Sequence, residues 1–322
     1  MLVDVLEPGL ASSLQDLGRP GHYHVGIPPS GALDLYAATA ANLLVGNDPS
    51  AAVIEAPYLG PRLRFAGPAV VAVAGAAMPL LLNDAPVPAW ESLQVAADDV
   101  LSFGFLKEGA RVYVAVAGGF DVPLVLGSRS TYGLGAFGGL DGRVLRAGDR
   151  LSVGVGDGTP GLVVPQDLRP SASRDVDVRV VLGLYDYRLS DLGLASLLDT
   201  TWELTTVADR IGFRYRGGRL EWNEREQPFG AGSDPSNIVD AGYPVGSIQV
   251  PGGVEPIILH RDAVSGGGYA MVATVISADL DRVGQCAPGT RTRFRPVSMT
   301  QALDARRERS LRVAALRRAL SA

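Results

Sequence analysis

Residues 111–117 read Arg-Val-Tyr-Val-Ala-Val-Ala, and Gly118 follows directly. A short apolar run that is rich in β-branched residues and ends at a glycine is typical of a β-strand. Similar runs, closed by glycine, proline or aspartate, lie at 69–74, 176–182, 256–259 and 271–276. The sequence therefore predicts a mostly β fold.

A polar turn followed by a short amphipathic strand occurs three times, at 98–103, 148–153 and 288–294. This repetition predicts related barrels. Between about 154 and 175 the chain is rich in glycine, proline and serine, as expected of an interdomain connection. We predict an N-terminal domain at 1–160, a linker at 161–175, a C-terminal domain at 176–297 and a C-terminal helix at 298–322.

Few other segments have a helical pattern. Small and apolar residues at 33–45 lie on one face of a 3.6-residue period, with Ser30 as a candidate cap. A second short helix is predicted at 190–198. The predicted C-terminal helix has an arginine-rich face, which fits either a solvated surface or docking onto an acidic partner.

Composition excludes several classes of function. The formal net charge is −5, which argues against binding to the phosphate backbone of nucleic acids. The chain has no long uninterrupted apolar run, so we expect no membrane span. No basic region precedes an apolar one at the amino terminus, and a cytoplasmic location is therefore expected.

Lys107 is the one lysine and Cys286 the one cysteine of the chain. An internal disulfide, a cysteine-based metal site, a Walker lysine and a biotinyl Met-Lys-Met are therefore excluded. Nearly all the positive charge is arginine, which suits forked recognition of carboxylates and phosphates.

The richest candidate site is the stretch 127–139, which combines Ser128, Arg129 and Ser130 with several glycines. Exposed amides, hydroxyls and a fixed cation are suited to holding an oxyanion, carboxylate or phosphate. The stretch also contains a G-x-G-x-x-G pattern, but no apolar strand precedes it, so a dinucleotide site is not indicated. The alternative is an ordinary glycine-rich connection between strands.

A second polar stretch, 14–34, precedes the first predicted helix and contains Arg19, Ser30 and Asp34, while Asn42 lies on that helix. A loop that leads into a helix start offers free amides to an anion or a hydrogen-bonding ligand. Alternatively, Ser30 only caps the helix and Asp34 only complements its dipole.

Histidines are scarce. His22 and His24 are predicted on one side of an extended strand, but no further ligand has a familiar metal-site spacing, so we expect no metal. His260 follows an apolar strand, where it either faces a cleft or is structural. The polar landmarks of the second half are Asp209, Arg210, Gln249 and Asp262.

Eight strings, taken together and in order, resemble the KipA family, also called allophanate hydrolase subunit 2 or the C subunit of 5-oxoprolinase. This family is related to the biotin-dependent carboxyltransferase-like region of urea amidolyase. The resemblance covers about residues 1 to 297. The strings are SLQDLGR (13–19), PSGALD (29–34), ANLLVGN (41–47), VAGGFDVP (116–123), LGSRST (126–131), ADRIG (208–212), GSIQVP (246–251) and ISADL (276–280).

The resemblance implies two cyclophilin-like β-barrel domains with a few short helices. It also implies a KipI-like partner (allophanate hydrolase subunit 1, or the B subunit of 5-oxoprolinase), often with a lactam-utilisation protein as a third component. The chain departs from the family at Gly183-Leu184-Tyr185-Asp186, where a glutamine is usual, and at 265–269, where a threonine is usual.

The leading hypothesis is a subunit, inactive alone, of an amidohydrolase complex that uses ATP to cleave a small cyclic amide such as 5-oxoproline. One alternative is a carboxyltransferase component that uses carboxybiotin carried by another protein. The other is a regulator that binds a KipI-like kinase inhibitor. The predicted catalytic residues are Arg129, Asp34 and Asp262, and the predicted substrate-binding residues are Arg19, Ser30, Asn42, Ser128, Ser130, Asp209, Arg210 and Gln249.

Overall fold

A computed structural model describes residues 1–321, which form twenty β-strands and four α-helices. The mostly β class predicted from the sequence is confirmed. One helix is long rather than short, because the C-terminal helix α4 spans Met299–Leu320. The other helices are α1 (Leu35–Leu44), α2 (Asp191–Asp199) and α3 (Leu280–Gly284).

The strands alternate with short turns along the chain. They are β1 (Leu2–Glu7), β2 (Ser13–Gln15), β3 (Val53–Pro57), β4 (Arg62–Phe65), β5 (Ala69–Ala77), β6 (Leu80–Leu82), β7 (Ala85–Val87), β8 (Ser92–Val95), β9 (Val100–Phe103), β10 (Glu108–Val116), β11 (Arg150–Ser152), β12 (Asp175–Leu182), β13 (Trp202–Ala208), β14 (Gly212–Arg216), β15 (Asn237–Gly242), β16 (Ser247–Gln249), β17 (Ile257–Leu259), β18 (Gly266–Tyr269), β19 (Met271–Val275) and β20 (Arg291–Pro296).

The described chain divides into two compact units that are not contiguous in sequence. The first unit contains 1–19, 30–172 and 311–321, and the second contains 20–29 and 173–310. Residues 161–172, which belong to the predicted linker, therefore pack with the first unit.

The first unit contains two sheets, with strand orders β11-β1-β4-β9-β6-β7 and β2-β3-β10-β5-β8. Strand β10 is apolar at nearly every position because both of its faces are buried. Val112, Val114 and Val116 face the core that contains Val3 and Phe65. The alternate residues of β10 belong instead to the core under α1, so the strand is buried on both faces.

Helix α1 begins one turn later than the position of Ser30 suggests. Asp34 is its N-cap, and the Asp34 carboxylate accepts a hydrogen bond from Ala37 N at 2.9 Å. The prediction that Ser30 caps this helix is wrong, because four residues separate Ser30 from the first helical residue, Leu35.

The second unit is a closed barrel of seven strands in the order β12-β19-β16-β17-β14-β13-β20. The pair β12–β20 is parallel, and the other pairs are antiparallel. A separate two-stranded sheet joins β15 and β18. The predicted second helix is confirmed as α2, which Ser190 caps through a hydrogen bond from Gly193 N at 3.0 Å.

The segment around His22 and His24 is not an extended strand. Tyr23–Val25 form one turn of 3₁₀-helix, and His24 contacts Gly21 O at 3.1 Å. In residues 1–321 no three His, Cys, Asp or Glu side chains are grouped as a metal site would need. The helices within the same range include none with the length and apolar character of a membrane span.

Candidate functional site

A tight turn positions the first predicted site residues. Val125 N donates to Ser128 O at 2.8 Å, and Ser128 N donates back to Val125 O at 3.2 Å. Between them, Leu126 (φ 53°) and Gly127 (φ 80°) both adopt positive φ, as a type I′ turn requires. The turn leads directly into residues 128–130, which we call the serine loop.

A buried carboxylate organises the serine loop. Asp16 Oδ1 accepts hydrogen bonds from Ser128 Oγ at 2.7 Å and Ser130 Oγ at 2.5 Å. It also accepts from Gly18 N at 2.7 Å, and Asp16 Oδ2 accepts from Arg129 N at 2.5 Å. Asp16 is 6% exposed, and these donors stabilise its negative charge in a position that water barely reaches. The hydroxyls of the serine loop therefore donate to the protein itself.

Arg19 lies against the serine loop and is 1% exposed. Its Nη2 donates to Ser130 O, its Nε donates to Val125 O at 3.4 Å, and its guanidinium lies 5.0 Å from the centre of the Phe137 ring. Gly138 makes this contact possible, because a Cβ there would overlap Ser130 O and come within 2.8 Å of Arg19 Nη2. Arg19 is thus a structural neighbour of the loop as well as a predicted ligand-binding residue.

Arg129 differs from Arg19 in having donors to spare. Its Nε donates to Val122 O at 3.0 Å, and the side chain is half-buried. Within the described residues its Nη1 and Nη2 have no hydrogen-bond partner and no carboxylate partner. This arrangement fixes the guanidinium and leaves its outer edge able to bind an anion.

The loop that leads into α1 adjoins the same cluster. Ser30 is fully buried with φ 50°, and Ala32 N donates to Asp16 O at 2.9 Å. Asp34, two residues after Ala32, caps α1. The structure therefore brings together Arg19, Ser30, Ser128, Arg129 and Ser130 around Asp16.

A buried acid and a buried phenol, neither of them predicted from the sequence, hold the start of helix α1. Glu55 Oε2 accepts from Leu33 N and from the Tyr113 hydroxyl, both at 2.8 Å. The Tyr113 hydroxyl accepts in turn from Asp34 N at 2.8 Å. Burial raises the pKa of Tyr113 well above its usual value, and the nearby charges of Glu55 and Asp34 raise it further, so the phenol stays protonated.

Asn42 lies apart from this cluster. Its Nδ2 donates to Ala51 O at 2.8 Å and to Pro49 O at 3.3 Å, and its Oδ1 accepts from Asn47 Nδ2 at 3.1 Å. These bonds hold the loop after α1, and they join Asn42 to the chain locally rather than to the serine loop.

In the second unit, Arg210 and Asp262 form a forked ion pair. Arg210 Nε donates to Asp262 Oδ2 at 2.8 Å, and Nη2 donates to Oδ1 at 3.2 Å. Asp262 N also donates to Arg210 O at 2.9 Å. Asp209 is exposed, and its Oδ1 accepts from Ile211 N at 2.8 Å and Gly212 N at 3.1 Å, which braces the turn into β14.

His260 and Gln249 have different surroundings in the barrel. His260 is buried, its ring centre lies 5.4 Å from that of Phe213, and its Nδ1 accepts from Arg261 N at 3.1 Å. Gln249 is half-buried on β16, between Ile257 of β17 and Met271 of β19. Among residues 1–321 the Gln249 side chain has no hydrogen-bond partner, so its amide is open to a ligand.

The sequence contained weak signals for the residues that were missed. Asp16 is the one acidic residue of its string, 13–19, and Glu55 is the one acidic residue of the apolar strand β3. A lone carboxylate in an apolar strand usually has a specific partner. Roles in binding and catalysis for all the residues described above stay predictions.

The chain matches the family model described as "Carboxyltransferase domain, subdomain A and B" over residues 25–296. Urea amidolyase of Lachancea kluyveri is 35% identical over 309 residues, which are 92% of this chain and 17% of that protein. The C subunit of 5-oxoprolinase from Haemophilus influenzae is 33% identical over 317 residues, which are 98% of each chain. This chain thus spans less than a fifth of the first relative and nearly all of the second.

Solved structures agree with these matches. The crystal structure of the Kluyveromyces lactis urea carboxylase superposes with a TM-score of 0.92 and 34% sequence identity, covering 98% of this chain and 29% of that one. The match of fold, together with sequence identity over almost the whole described chain, confirms the resemblance found from the eight strings. The chain belongs to the family of carboxyltransferase domains, subdomains A and B, which includes the C subunit of 5-oxoprolinase.

Proposed function

We propose that this chain is the C subunit of an ATP-dependent amidohydrolase of the 5-oxoprolinase kind. The observation that carries the proposal is the match to the 5-oxoprolinase C subunit along 98% of both chains. That relative is named as one subunit among several, and we propose a KipI-like subunit and a lactam-utilisation subunit as partners here.

The proposed reaction explains why a fixed arginine is useful. An amide resists hydrolysis because nitrogen is a poor leaving group. Transfer of the γ-phosphoryl group of ATP to the amide oxygen activates the carbonyl carbon for attack by water. The C–N bond then breaks and phosphate leaves. Cationic donors that are already positioned stabilise the charge that develops on the phosphoryl oxygens.

In this proposal Arg129 is the residue that contacts the anionic oxygens, because its outer nitrogens are open. Ser128 and Ser130 act as positioning residues through Asp16, since both hydroxyls donate to that carboxylate. Asp34 and Ser30, which belong to the same unit as Arg129, are the candidates for orienting the amide.

The test is release of ADP that depends on 5-oxoproline, measured with this chain alone, with the partner subunits alone and with the mixture. We expect activity only in the mixture. Loss of one donor to a developing oxyanion typically lowers kcat about 10²-fold, and we expect an effect of that size for Arg129→Gln. Arg146→Gln, at an exposed arginine of the same unit, is the matched control. A fully active Arg129→Gln mixture removes Arg129 from the mechanism.

A carboxyltransferase role is the second candidate, and the 0.92 TM-score with urea carboxylase favours it. The biotin must then be attached outside residues 1–322, because Lys107 is the one lysine among them and lies outside any biotinyl motif. Transfer of carboxyl from added carboxybiotin to urea, without ADP release that depends on 5-oxoproline, supports this role over the first.

A tight complex with the KipI-like subunit and no turnover of either substrate supports the regulatory alternative.

A further inference from the structure

Two arginines of the second unit, Arg188 and Arg225, lie on neighbouring segments. Leu189 and Trp222 form an antiparallel β-bridge. Beside it, Asn223 N donates to Arg188 O at 2.9 Å. This pairing holds the two arginine-bearing segments side by side.

Both guanidinium groups reach the same loop, residues 232–235. Arg188 Nη2 donates to Pro235 O. Arg225 Nη2 donates to Asp234 O at 2.8 Å and to Gly232 O at 3.4 Å. The two cations therefore converge on neutral carbonyl groups of one short segment.

No carboxylate neutralises this pair within residues 1–321. Neither arginine forms an ion pair there, and the Asp234 carboxylate accepts from Ser236 N and Oγ instead. Nε and Nη1 of Arg225 are buried and have no hydrogen-bond partner among the same residues. Burial, and then the charge of Arg225, lower the pKa of Arg188, as expected of two cations that repel one another in a partly desolvated place.

Three other partly buried arginines of the chain are neutralised by a carboxylate. Arg143 pairs with Asp149 at 2.8 Å, Arg179 with Asp279 at 2.6 Å, and Arg210 with Asp262 at 2.8 Å. A convergent pair of cations with buried, unused donors lacks such a partner, and a bound anion supplies one.

We propose that Arg188 and Arg225 bind a phosphate group of a small ligand. A phosphate monoester carries close to two negative charges at neutral pH and has three acceptor oxygens, so it matches two guanidinium forks better than a single carboxylate does. The proposal concerns binding by this chain and does not depend on the proposed amidohydrolase activity.

The test measures binding to the purified full chain by calorimetry at low salt, with inorganic phosphate, ADP and acetate as probes. We expect phosphate and ADP to bind at least about tenfold more tightly than acetate, which corresponds to one charge-assisted contact. Equal affinities for phosphate and ADP identify free phosphate as the ligand, and tighter binding of ADP identifies a nucleotide. Absence of phosphate and ADP binding, or acetate binding as tight as phosphate, overturns the proposal.

Variants of the two arginines distinguish a ligand-binding role from a role that only holds the loop 232–235 in place. Arg188→Gln and Arg225→Gln each remove one charge, and we expect each to weaken phosphate binding about tenfold or more. Arg219→Gln, at an exposed arginine of the same unit, is expected to leave binding unchanged. Arg188→Gln keeps the test valid if Arg225→Gln unfolds. Unchanged phosphate affinity in a folded Arg188→Gln variant overturns the proposal.

Discussion

The serine loop of the first unit and the Arg210–Asp262 pair of the second contain the same kinds of residue but connect them differently. At the serine loop, hydroxyls and amides satisfy the carboxylate of Asp16, so the Arg129 guanidinium keeps open donors. In the second unit, the carboxylate and the guanidinium bond to each other through two nitrogens.

This difference separates a cation that can bind a ligand from one that holds the fold. A carboxylate that accepts from neutral donors keeps its charge stabilised without using an arginine. A carboxylate that accepts from an arginine uses the donors a ligand would need. The first arrangement therefore favours binding at Arg129, and the second favours a structural role for Arg210.

The largest expected effect is at Asp16. Asp16→Asn keeps the shape but removes the charge and places an amide among four donors, so we expect the free energy of unfolding to fall by about 3–5 kcal/mol. The measurement is urea unfolding followed by circular dichroism. Asp121→Asn, at an exposed aspartate of the same unit, is the control and is expected to change stability little. A variant as stable as the wild type contradicts the organising role of Asp16.

A smaller effect is expected at Arg210. Arg210→Met leaves the buried Asp262 carboxylate without its partner, and we expect a loss of about 2–3 kcal/mol, the cost of an unsatisfied buried acceptor. Asp262→Asn is expected to cost less, because the Arg210 side chain is 21% exposed and its charge is therefore partly solvated. Equal losses in the two variants would show that burial of Asp262 does not decide the energetics of the pair.

Tyr113 extends the comparison to the helix start beside the serine loop. Tyr113→Phe removes the acceptor of Asp34 N and one donor to Glu55, and we expect a loss of about 1–2 kcal/mol in the free energy of unfolding. Tyr36→Phe is a matched control on α1, since its hydroxyl donates to a backbone carbonyl, Leu168 O, and within residues 1–321 does not bridge to a buried acid. A larger loss at Tyr36 than at Tyr113 contradicts the bridging role.

The smallest effect concerns a paired carboxylate within the first unit. Side-chain hydrogen bonds from Arg143 lower the pKa of Asp149 below 3.8, so the folded state favours the charged form. The ion pair therefore stabilises the folded state fully at pH values above the pKa of Asp149 in the unfolded chain. This stabilisation is lost as the pH falls through the lower pKa of Asp149 in the folded protein. We expect Asp149→Asn to lose about 1 kcal/mol at about pH 6 and much less at about pH 3. Asp141→Asn, whose carboxylate is 77% exposed, should show neither effect.

Much of the fold was predictable because its elements depend on local patterns. The runs at 69–74, 111–117 and 176–182 correspond to β5, β10 and β12, since a β-branched apolar run fits only a buried strand in so short a length. The extended prediction for His22 and His24 was wrong, because the glycines around them permit a tight turn that alternation cannot reveal.

The sequence predicted which residue types form the candidate site, but it did not predict which of them are hydrogen-bonded or ion-paired to each other. The residues of the serine loop were predicted as a candidate site, and Asp209 and Arg210 as polar landmarks. Whether an arginine was paired depended on residues far away in sequence, since Asp16 lies 113 positions from Arg129 and Asp262 lies 52 positions from Arg210. Local sequence contains no record of such contacts.

The sequence by itself determined the β-rich class, the family and the predominance of arginine among the cations, because these follow from local periodicity, ordered strings and composition. Only the tertiary structure decided which guanidinium groups have carboxylate partners and which have open donors. The physical reason is that pairing requires atoms to come within about 3 Å of each other, and strand register and loop closure set that distance.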